Sequence, residues 1–522
     1  MGVDAATSEQ ESLVRIKGMR KVWMTALRSN WRLGLRSKWL RRLAWGAIAP
    51  LLLLGLWLTP DPVRAATALP YDQLTFPPLP PVQLPEYTQF QLDNGLMVYL
   101  VEDHELPLVS GTALFRVGSR WEPADKVGLS GITGEVMRSG GTLKHTPDAL
   151  NTLLESRAAY VETGISNASG NASFYALSED LPEVFGLFAE VIRQPAFAPD
   201  KFALVKSQRR GFIARRNDDP EDIARREFFK LIYGPQSPYA RTTEYATLDR
   251  IQREDAIAYH RTYFHPNNML LGIVGDFDSA EMRSLIEAQF GDWARNPALD
   301  NPDFNPLPAV AQAQPGGIFL VDQPQLTQSS VLIGHLGGKL SDPDYAPMTV
   351  LNDVLNGFGG RLVNEVRSRQ GLAYVVYAYW SPQFDYPGVF VGGGQTRSDA
   401  TVPFIQALKA EIEKVRTTPV SDVELKQAKD SALNAFVFNF ETPGQTLSRL
   451  MRYEYYGYPK DFIFQYQKQV EATTAEDILR AAQTYLQPDK LVTLVVGNSA
   501  AIQPPLSTLG SSPQQIDITI SP

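Results

Sequence analysis

Two stretches of this 522-residue sequence decide its fold: Asn268–Phe277 reads NMLLGIVGDF, and Lys490–Asn498 reads KLVTLVVGN. Each is a short apolar run bounded by polar residues, which is typical of a strand buried inside a sheet. Each also closes a longer run of predicted strands and then predicted helices. The same order of strands, helices and strand therefore occurs twice, which predicts an α+β fold in which one αβ unit is used twice.

The predicted domain limits follow from where this order starts and restarts. The first unit opens with QFQLDNGLMVYLVED at 89–103, in which Asp93-Asn94-Gly95 between two apolar runs predicts a β-hairpin. We predict an N-terminal domain at 87–294, a linker rich in Pro, Asn and Ala at 295–316, a C-terminal domain at 317–498 and a tail at 499–522. Each domain is expected to have a mixed or antiparallel sheet with helices packed on it.

The first 65 residues have the composition of a targeting segment. The basic run RSKWLRR (36–42) precedes the apolar run AWGAIAPLLLLGLWL (44–58) and the small residues of PVRAATA (62–68). This order is typical of a secretory signal. The apolar run is shorter than the roughly 20 residues of a membrane-spanning helix, so a cleaved signal is favoured over a membrane anchor. We predict an export signal or membrane anchor at 1–65, a proline-rich lead at 66–86, and an exported protein, periplasmic or otherwise extracytoplasmic.

Charge and cysteine content exclude several classes of function. Residues 1–64 carry a net charge of +7 and the rest of the chain carries −15, which together give the −8 of the whole chain. Nucleic acid is excluded as the main partner, because phosphate binding requires an excess of Lys and Arg. The chain has no cysteine, which excludes disulfides, thiolate metal ligands and a cysteine nucleophile.

Several motifs together resemble those of a known family. They are FQLDNGL (90–96), GSRWEP (118–123), RRNDDP (215–220) and GGRLVNEVRSRQGLAYVVYA (359–378). In order and spacing they are similar to those of the pitrilysin/insulinase family of zinc peptidases, which includes the mitochondrial processing peptidase. The resemblance implies two homologous domains that form half of a clam-like chamber around an extended peptide.

The sequence departs from this family at its zinc motif. Catalytic members carry His-x-x-Glu-His on one helix, where two His ligate zinc and the Glu acts on the bound water. The corresponding stretch here is GLSGITGEVMRSGGT (128–142). The resemblance aligns Gly131 and Glu135 with the two His and Gly134 with the Glu. It places the third ligand near Phe212–Ile213, where no carboxylate is present.

The histidine content leads to the same conclusion without an alignment. No two histidines are four residues apart, as a helical zinc pair requires. The histidines of the chain are His104, His145, His260, His265 and His335. We predict no metal ligand and no catalytic residue in this chain, and we expect zinc in a partner chain. Glu135 is predicted to be a solvated or locally paired carboxylate.

A second family motif is intact. In catalytic relatives, the Arg and Tyr that correspond to Arg367 and Tyr374 donate hydrogen bonds to the substrate. The resemblance therefore implies that these two residues bind substrate. A guanidinium and a phenol both suit a carbonyl oxygen that gains negative charge. In the alternative interpretation they only complete the fold, with Arg367 paired to an acid and Tyr374 half-buried.

Together these features predict a non-catalytic subunit of a zinc metallopeptidase. It would supply chamber wall, peptide binding and the donors Arg367 and Tyr374 to a sister chain that carries the zinc motif. Extended peptides would be held by addition of a strand to a sheet edge. A stand-alone peptide-binding or structural protein is the alternative. A hydrolase with an unrecognised nucleophile is least supported, because no G-x-S-x-G motif is present.

Overall fold

The structure is a computed structural model that describes residues 82, 84–357 and 359–521. The predicted export signal or anchor at 1–65 and most of the proline-rich lead lie outside these residues. Of the helices in the described part of the chain, none combines the length and apolar content that crossing a bilayer requires.

The N-terminal half is built on one mixed sheet. Its strands are β1 (Thr88–Gln91), β2 (Met97–Glu102), β3 (Leu108–Phe115), β4 (Tyr160–Ile165), β5 (Gly170–Leu177) and β6 (Met269–Gly275). Its helices are α1 (Leu129–Ser139), α2 (Pro147–Glu155), α3 (Leu181–Arg193), α4 (Pro199–Arg215), α5 (Pro220–Tyr233), α6 (Tyr245–Arg250), α7 (Arg253–Tyr263) and α8 (Ser279–Phe290). The predicted hairpin is confirmed, because β1 and β2 pair antiparallel and Gly95 between them has φ +93°.

The C-terminal half repeats the pattern. Its strands are β7 (Gly317–Asp322), β8 (Gln328–Leu336), β9 (Ala373–Ser381), β10 (Val389–Arg397), β11 (Val492–Gly497) and β12 (Gln514–Gln515). Its helices are α9 (Tyr345–Asn356), α10 (Thr401–Thr417), α11 (Asp422–Phe436), α12 (Pro443–Tyr456), α13 (Phe462–Ala472) and α14 (Ala475–Tyr485). A π-helical turn, Val363–Arg369, lies between α9 and β9.

The strand order shows that the two halves are versions of one unit. The N-terminal order is β1-β2-β6-β3-β5-β4 and the C-terminal order is β12-β7-β11-β8-β10-β9. In both sheets the closing strand, β6 or β11, pairs parallel to an early strand and antiparallel to the next. The predicted α+β fold with two homologous halves is therefore confirmed. The limits proposed for the individual domains stay a prediction.

The halves exchange a helix across their interface. On α5, Phe228 and Ile232 pack with Phe319 of the C-terminal sheet. On α12, Leu447 and Met451 pack against the N-terminal sheet. Burial of each such side chain is worth about 1.5–3 kcal/mol. Each sheet is thus covered on one face by helices of its own half and on the other by a helix of the opposite half.

A buried ion pair also joins the halves. Arg120, from the GSRWEP motif, donates from Nη1 and Nη2 to the two carboxylate oxygens of Asp385, at 3.0 and 2.8 Å. Only 2% of the Arg120 side chain is exposed, and its guanidinium also lies over the ring of Trp121. Removing one partner of a buried pair typically costs about 3–5 kcal/mol. The interface between the halves therefore carries both apolar and ionic contacts.

Candidate functional site

The helix that corresponds to the family zinc helix is α1, and Glu122 fixes its N-terminus. The buried carboxylate of Glu122 accepts hydrogen bonds from the backbone N–H of Gly128 and of Ser130, both at 2.9 Å, and from the Ser130 hydroxyl at 2.8 Å. Backbone N–H groups at a helix N-terminus have no partner within the helix, and a carboxylate there is favoured by the helix dipole. Glu122 therefore sets the start and the orientation of α1.

The middle of α1 has no space for the residue that the zinc chemistry requires. A Cβ atom at Gly134 would lie 2.6 Å from the backbone nitrogen of Ile165 and 2.9 Å from the carbonyl carbon of Gly164. The hydroxyl of Thr163 donates to the carbonyl oxygen of Gly134 at 2.6 Å, which holds β4 against the helix. Gly134 stands where the family has its catalytic Glu, so the backbone of β4 occupies the place of that side chain.

Gly131 differs from Gly134, because its surroundings are open. The atom nearest to a Cβ built at Gly131 is Nη2 of Arg209, 4.0 Å away. Close packing is therefore present at Gly134 and absent at Gly131. The space beside Gly131 is bordered by a cation from α4.

Glu135 is paired, as predicted for a carboxylate without a catalytic role. Nη2 of Arg209 lies 2.5 Å from its Oε2, and the two side chains are 37% and 38% exposed. The residue of α4 that faces Glu135 is thus Arg209. The resemblance in the sequence placed the third ligand of the family near Phe212–Ile213, one turn further along α4. This position was wrong, because Phe212 is exposed and Ile213 is buried in the core.

The histidines of the described chain serve the fold. His260 is buried, its Nε2 lies 2.7 Å from the carbonyl oxygen of Ile192, and burial lowers its pKa to about 4. His335 accepts at Nε2 from the backbone N–H of Gln487, so its Nδ1 donates to the Leu336 carbonyl. The remaining three contact carboxylates or backbone carbonyls: His104 with Asp276, His145 with Glu190, and His265 with Arg261 and Ala294.

The residues at this site do not fit zinc. Zinc requires about three deprotonated His, Cys or carboxylate ligands. Here one carboxylate is present, and the fixed positive charge of Arg209 beside it would repel a divalent cation. Within the described residues, no group of three His, Asp or Glu could hold a metal ion.

Arg367 and Tyr374 contact each other at the surface of the C-terminal half. The guanidinium carbon of Arg367 lies 4.6 Å from the ring centre of Tyr374, which is a cation–π contact. Arg367 is exposed and Tyr374 is 78% exposed. Within the described residues Arg367 makes no ion pair, so the arrangement is not the alternative of a paired Arg and a half-buried Tyr.

Both residues stand on irregular backbone. Arg367 lies in the π-helical turn Val363–Arg369. Tyr374 is skipped in the pairing of β9 with β10, because Gln395 pairs with Val375 while Thr396 pairs with Ala373. Such a β-bulge adds one residue to a strand and changes the direction of its side chain, and π-turns are frequent at functional sites. The bulge and the π-turn together explain how two side chains seven residues apart meet in solvent.

An ion pair anchors the segment that carries Arg367. Arg361 donates from Nε to one oxygen of Glu424 at 2.6 Å and from Nη2 to the other at 3.1 Å. The side chain of Arg361 is buried, and the pair holds the pKa of Glu424 down at about 2. A bidentate pair fixes both distance and orientation. The start of the turn is therefore tied to α11.

Sequence reasoning missed Arg209, the bulge at Tyr374 and the anchor Arg361–Glu424. A charge at position 209 is visible in the sequence, but its partner lies 74 residues away on another helix. The only signal in the sequence for the residue that faces Glu135 was the motif spacing of the family, which gave a position one turn too far along α4.

Two family models match this chain. Residues 98–232 match the model described as insulinase, peptidase family M16, and residues 250–432 match the one described as the peptidase M16 inactive domain. The chain belongs to the M16 family of pitrilysin/insulinase-type peptidases. The resemblance seen in the sequence motifs is thereby confirmed.

M16 relatives cover most of the chain. An uncharacterized zinc protease of Rickettsia bellii is 24% identical over 347 residues, which cover 65% of this chain and 80% of that protein. A protein of Helicobacter pylori described as the non-peptidase homolog YmxG is 22% identical over 403 residues, which cover 76% and 90%. The group thus includes proteins described as proteases and a protein described as a non-peptidase.

Solved M16 structures share the fold. A structure from Pseudomonas fluorescens described as a peptidase M16 inactive domain has a TM-score of 0.70 and 24% identity, covering 80% of this chain and 100% of that chain. The periplasmic protease PqqL from Escherichia coli has a TM-score of 0.66 and 15% identity, covering 80% of this chain and 46% of its own. At these identities the likeness shows the fold alone.

Proposed function

We propose that this chain is a non-catalytic subunit of a zinc metallopeptidase of the M16 family. It supplies chamber wall, peptide binding and the donors Arg367 and Tyr374 to a sister chain that holds the zinc. The observation that carries this proposal is the exposed contact of Arg367 with Tyr374. Two donors that point into solvent are available to a carbonyl oxygen of a bound peptide, and among the described residues no group of three His, Asp or Glu could hold a metal ion for them to serve.

The N-terminal sheet offers a place for an extended peptide. In the strand order, β4 is the last strand and pairs only with β5. The other edge of β4 is partly covered by α1, because Arg138 donates from Nε to the carbonyl oxygen of Val161 and Gly134 lies against Gly164 and Ile165. A further strand would bind to the backbone N–H and C=O groups that α1 leaves free. Peptide binding of this kind requires backbone and pockets, not a metal.

We also propose that the protein works outside the cytoplasm. The support is the signal-like composition of residues 1–65 and the existence of a periplasmic protease, PqqL, with the same fold. The zinc of the complex would belong to the sister chain.

Co-purification with a chain that carries His-x-x-Glu-His tests the proposal. The two chains are expressed separately and together, and hydrolysis of a fluorogenic peptide library is measured for each chain and for the complex. We expect a stable heterodimer whose turnover exceeds that of the sister chain alone. A sister chain that is fully active alone and forms no complex would contradict the proposal and favour the stand-alone peptide-binding protein.

A further inference from the structure

A cavity of about 590 Å³ lies between the N-terminal sheet and α12. We call it the cationic cavity. Its polar wall includes Ser110, Thr112, Ser173, Ser448, Arg449 and Arg452. The sheet contributes the first three of these residues and α12, from the opposite half, contributes the others. The cavity therefore exists only because the halves exchange a helix.

The charges around this cavity are of one sign. Two guanidinium groups, Arg449 and Arg452, line it and no Asp or Glu does. Residues 65–522 carry a net charge of −15, so the sign of the charge at this wall is opposite to that of the protein body. Within the described residues Arg452 makes no ion pair or hydrogen bond. A local positive potential in an acidic protein selects for anionic groups.

Arg449 has an unused donor inside the protein. Its Nη2 donates to Oδ1 of Asn439 at 2.5 Å, but its Nε is buried and has no hydrogen-bond partner in the described structure. A buried N–H without a partner is unfavourable unless a water molecule or a ligand satisfies it. The hydroxyls of Ser110, Thr112 and Ser173 likewise make no hydrogen bond to the described part of the chain, which leaves donors on both walls.

The C-terminal half has a cavity in the equivalent place, and it shows that the fold does not require this charge. That cavity, of about 440 Å³, lies between α5 and β8, β9 and β10. Its wall is mainly apolar, and its two charged members, Arg225 and Glu221, are of opposite sign. Two cavities built by the same exchange of helices thus differ in chemistry, so the positive charge is a property of the N-terminal cavity and not of the architecture.

The cationic cavity reaches the first residue of the edge strand β4, at the end opposite to the contact of Gly164 and Ile165 with α1. Tyr160, the first residue of β4, lines the cavity and stacks on Tyr175 of β5. Side chains of an added strand alternate between the two faces of the sheet. Every second side chain of the peptide would therefore lie on the face of Tyr160. Glu162 lies on the same face of β4, is exposed, and is not part of the cavity wall.

We propose that the cationic cavity binds a carboxylate carried by the peptide that adds to β4. The inference rests on the proposed peptide binding and names its ligand class: peptides with an acidic side chain or a free C-terminus in reach of Arg449 and Arg452. A guanidinium binds a carboxylate through charge-assisted hydrogen bonds, which are about twice as strong as neutral ones. The site thus gives the chain a sequence preference without any hydrolytic step.

Peptide binding to the isolated full-length chain tests this. Fluorescein-labelled ten-residue peptides with amidated C-termini carry one Glu or one Gln, at positions moved along the peptide, and affinity is measured by fluorescence anisotropy. At one position we expect Glu to bind about ten-fold more tightly than Gln, the size expected of a hydrogen bond to a charged group. Arg452→Ala and Arg449→Ala together should remove this preference and leave the Gln peptide within about two-fold of wild type.

Control measurements distinguish the arginines of the cavity from an arginine elsewhere, and a terminal carboxylate from a side-chain carboxylate. Arg397→Ala removes an exposed arginine that pairs with Asp399 away from the cavity, and should keep the preference. Unlabelled peptides with free and amidated C-termini distinguish a terminal carboxylate from a side chain. Binding without any preference for carboxylates, or a preference that survives the double substitution, would overturn this inference but leave the proposed function standing. Failure of every peptide to bind would overturn both this inference and the proposed peptide binding.

Discussion

In the N-terminal half, Glu135 is held by Arg209 and β4 lies against Gly134, so the place of the family metal chemistry is filled by protein. In the C-terminal half, Arg367 and Tyr374 are exposed, and the guanidinium of Arg367 lies over the ring of Tyr374. In the family, the corresponding residues belong to one reaction. The two regions therefore differ in access: protein contacts fill the place of the metal motif, whereas the two residues that we propose as substrate donors are open to solvent.

The backbone also differs between the two regions, since it is regular in the first and irregular in the second. The stretch at Glu135 is a regular helix with its N-terminus fixed by Glu122, an arrangement that serves packing. The stretch from Arg367 to Tyr374 contains a π-turn and a bulge, which are less favourable than regular structure and persist where surrounding contacts hold them. Both features are frequent at functional sites, which favours a role for this segment beyond packing.

The largest expected effect is on stability and concerns the two glycines of α1. Gly134→Ala should lower the free energy of unfolding by about 2–3 kcal/mol, because its Cβ meets backbone atoms of β4 that cannot rotate away. Gly131→Ala should raise it by up to about 1 kcal/mol, because alanine favours the helix and the site is open. Urea unfolding followed by circular dichroism measures both. Equal effects of the two substitutions would show that β4 does not close the site.

The next effect is on turnover of the mixed complex. Arg367→Ala and Tyr374→Phe should each lower kcat by about ten-fold or more, because each removes a donor that we propose acts on the transition state. Arg369→Ala, in the same turn and paired with Glu365, is the matched control and should stay within about two-fold. Unchanged kcat for Arg367→Ala would reduce the pair to a surface contact.

A smaller effect concerns the anchor of the Arg367 segment. Arg361 lowers the pKa of Glu424 to about 2, so the native state binds this proton less readily than the unfolded chain does. The stabilisation by the pair is therefore complete above about pH 4.5 and is lost as the pH falls toward 2. Unfolding free energies at stepped pH should fall more steeply in this window for wild type than for Glu424→Gln. Parallel curves would show that the pair contributes nothing.

The smallest effect is expected at the pair that occupies the metal region. Arg209→Ala should cost about 0.5 kcal/mol of stability, as is usual for a partly exposed ion pair, and should leave kcat of the mixed complex unchanged. Glu135→Gln should have the same small effect on stability and should also leave kcat of the mixed complex unchanged. A ten-fold loss of kcat in either variant would mean that the N-terminal region still takes part in the reaction, and the contrast with Arg367 would fail.

The sequence was sufficient for the fold where the signal was local. The hairpin at Asp93-Asn94-Gly95 and the buried strands at Asn268–Phe277 and Lys490–Asn498 each depend on a few neighbouring residues. The exchange of α5 and α12 could not be predicted, because the apolar face of a helix does not say which sheet it covers.

Only part of the candidate site could be predicted from the sequence. The lack of a histidine pair follows from the amino-acid sequence alone. That Gly134 is in contact with β4, that Arg209 reaches Glu135, and that a bulge turns Tyr374 outward all depend on which elements meet in three dimensions. The motif spacing of the family gave an approximate position on α4 for the residue that faces Glu135. In the structure that residue lies about one turn earlier in the helix.

The most direct test of the central claim is the zinc content of the isolated chain. The protein is purified without its sister chain, dialysed against micromolar zinc, and its bound metal is measured together with peptide hydrolysis. Our account predicts zinc well below one per chain and no hydrolysis above background. One tightly bound zinc per chain together with hydrolysis by the isolated chain would contradict it.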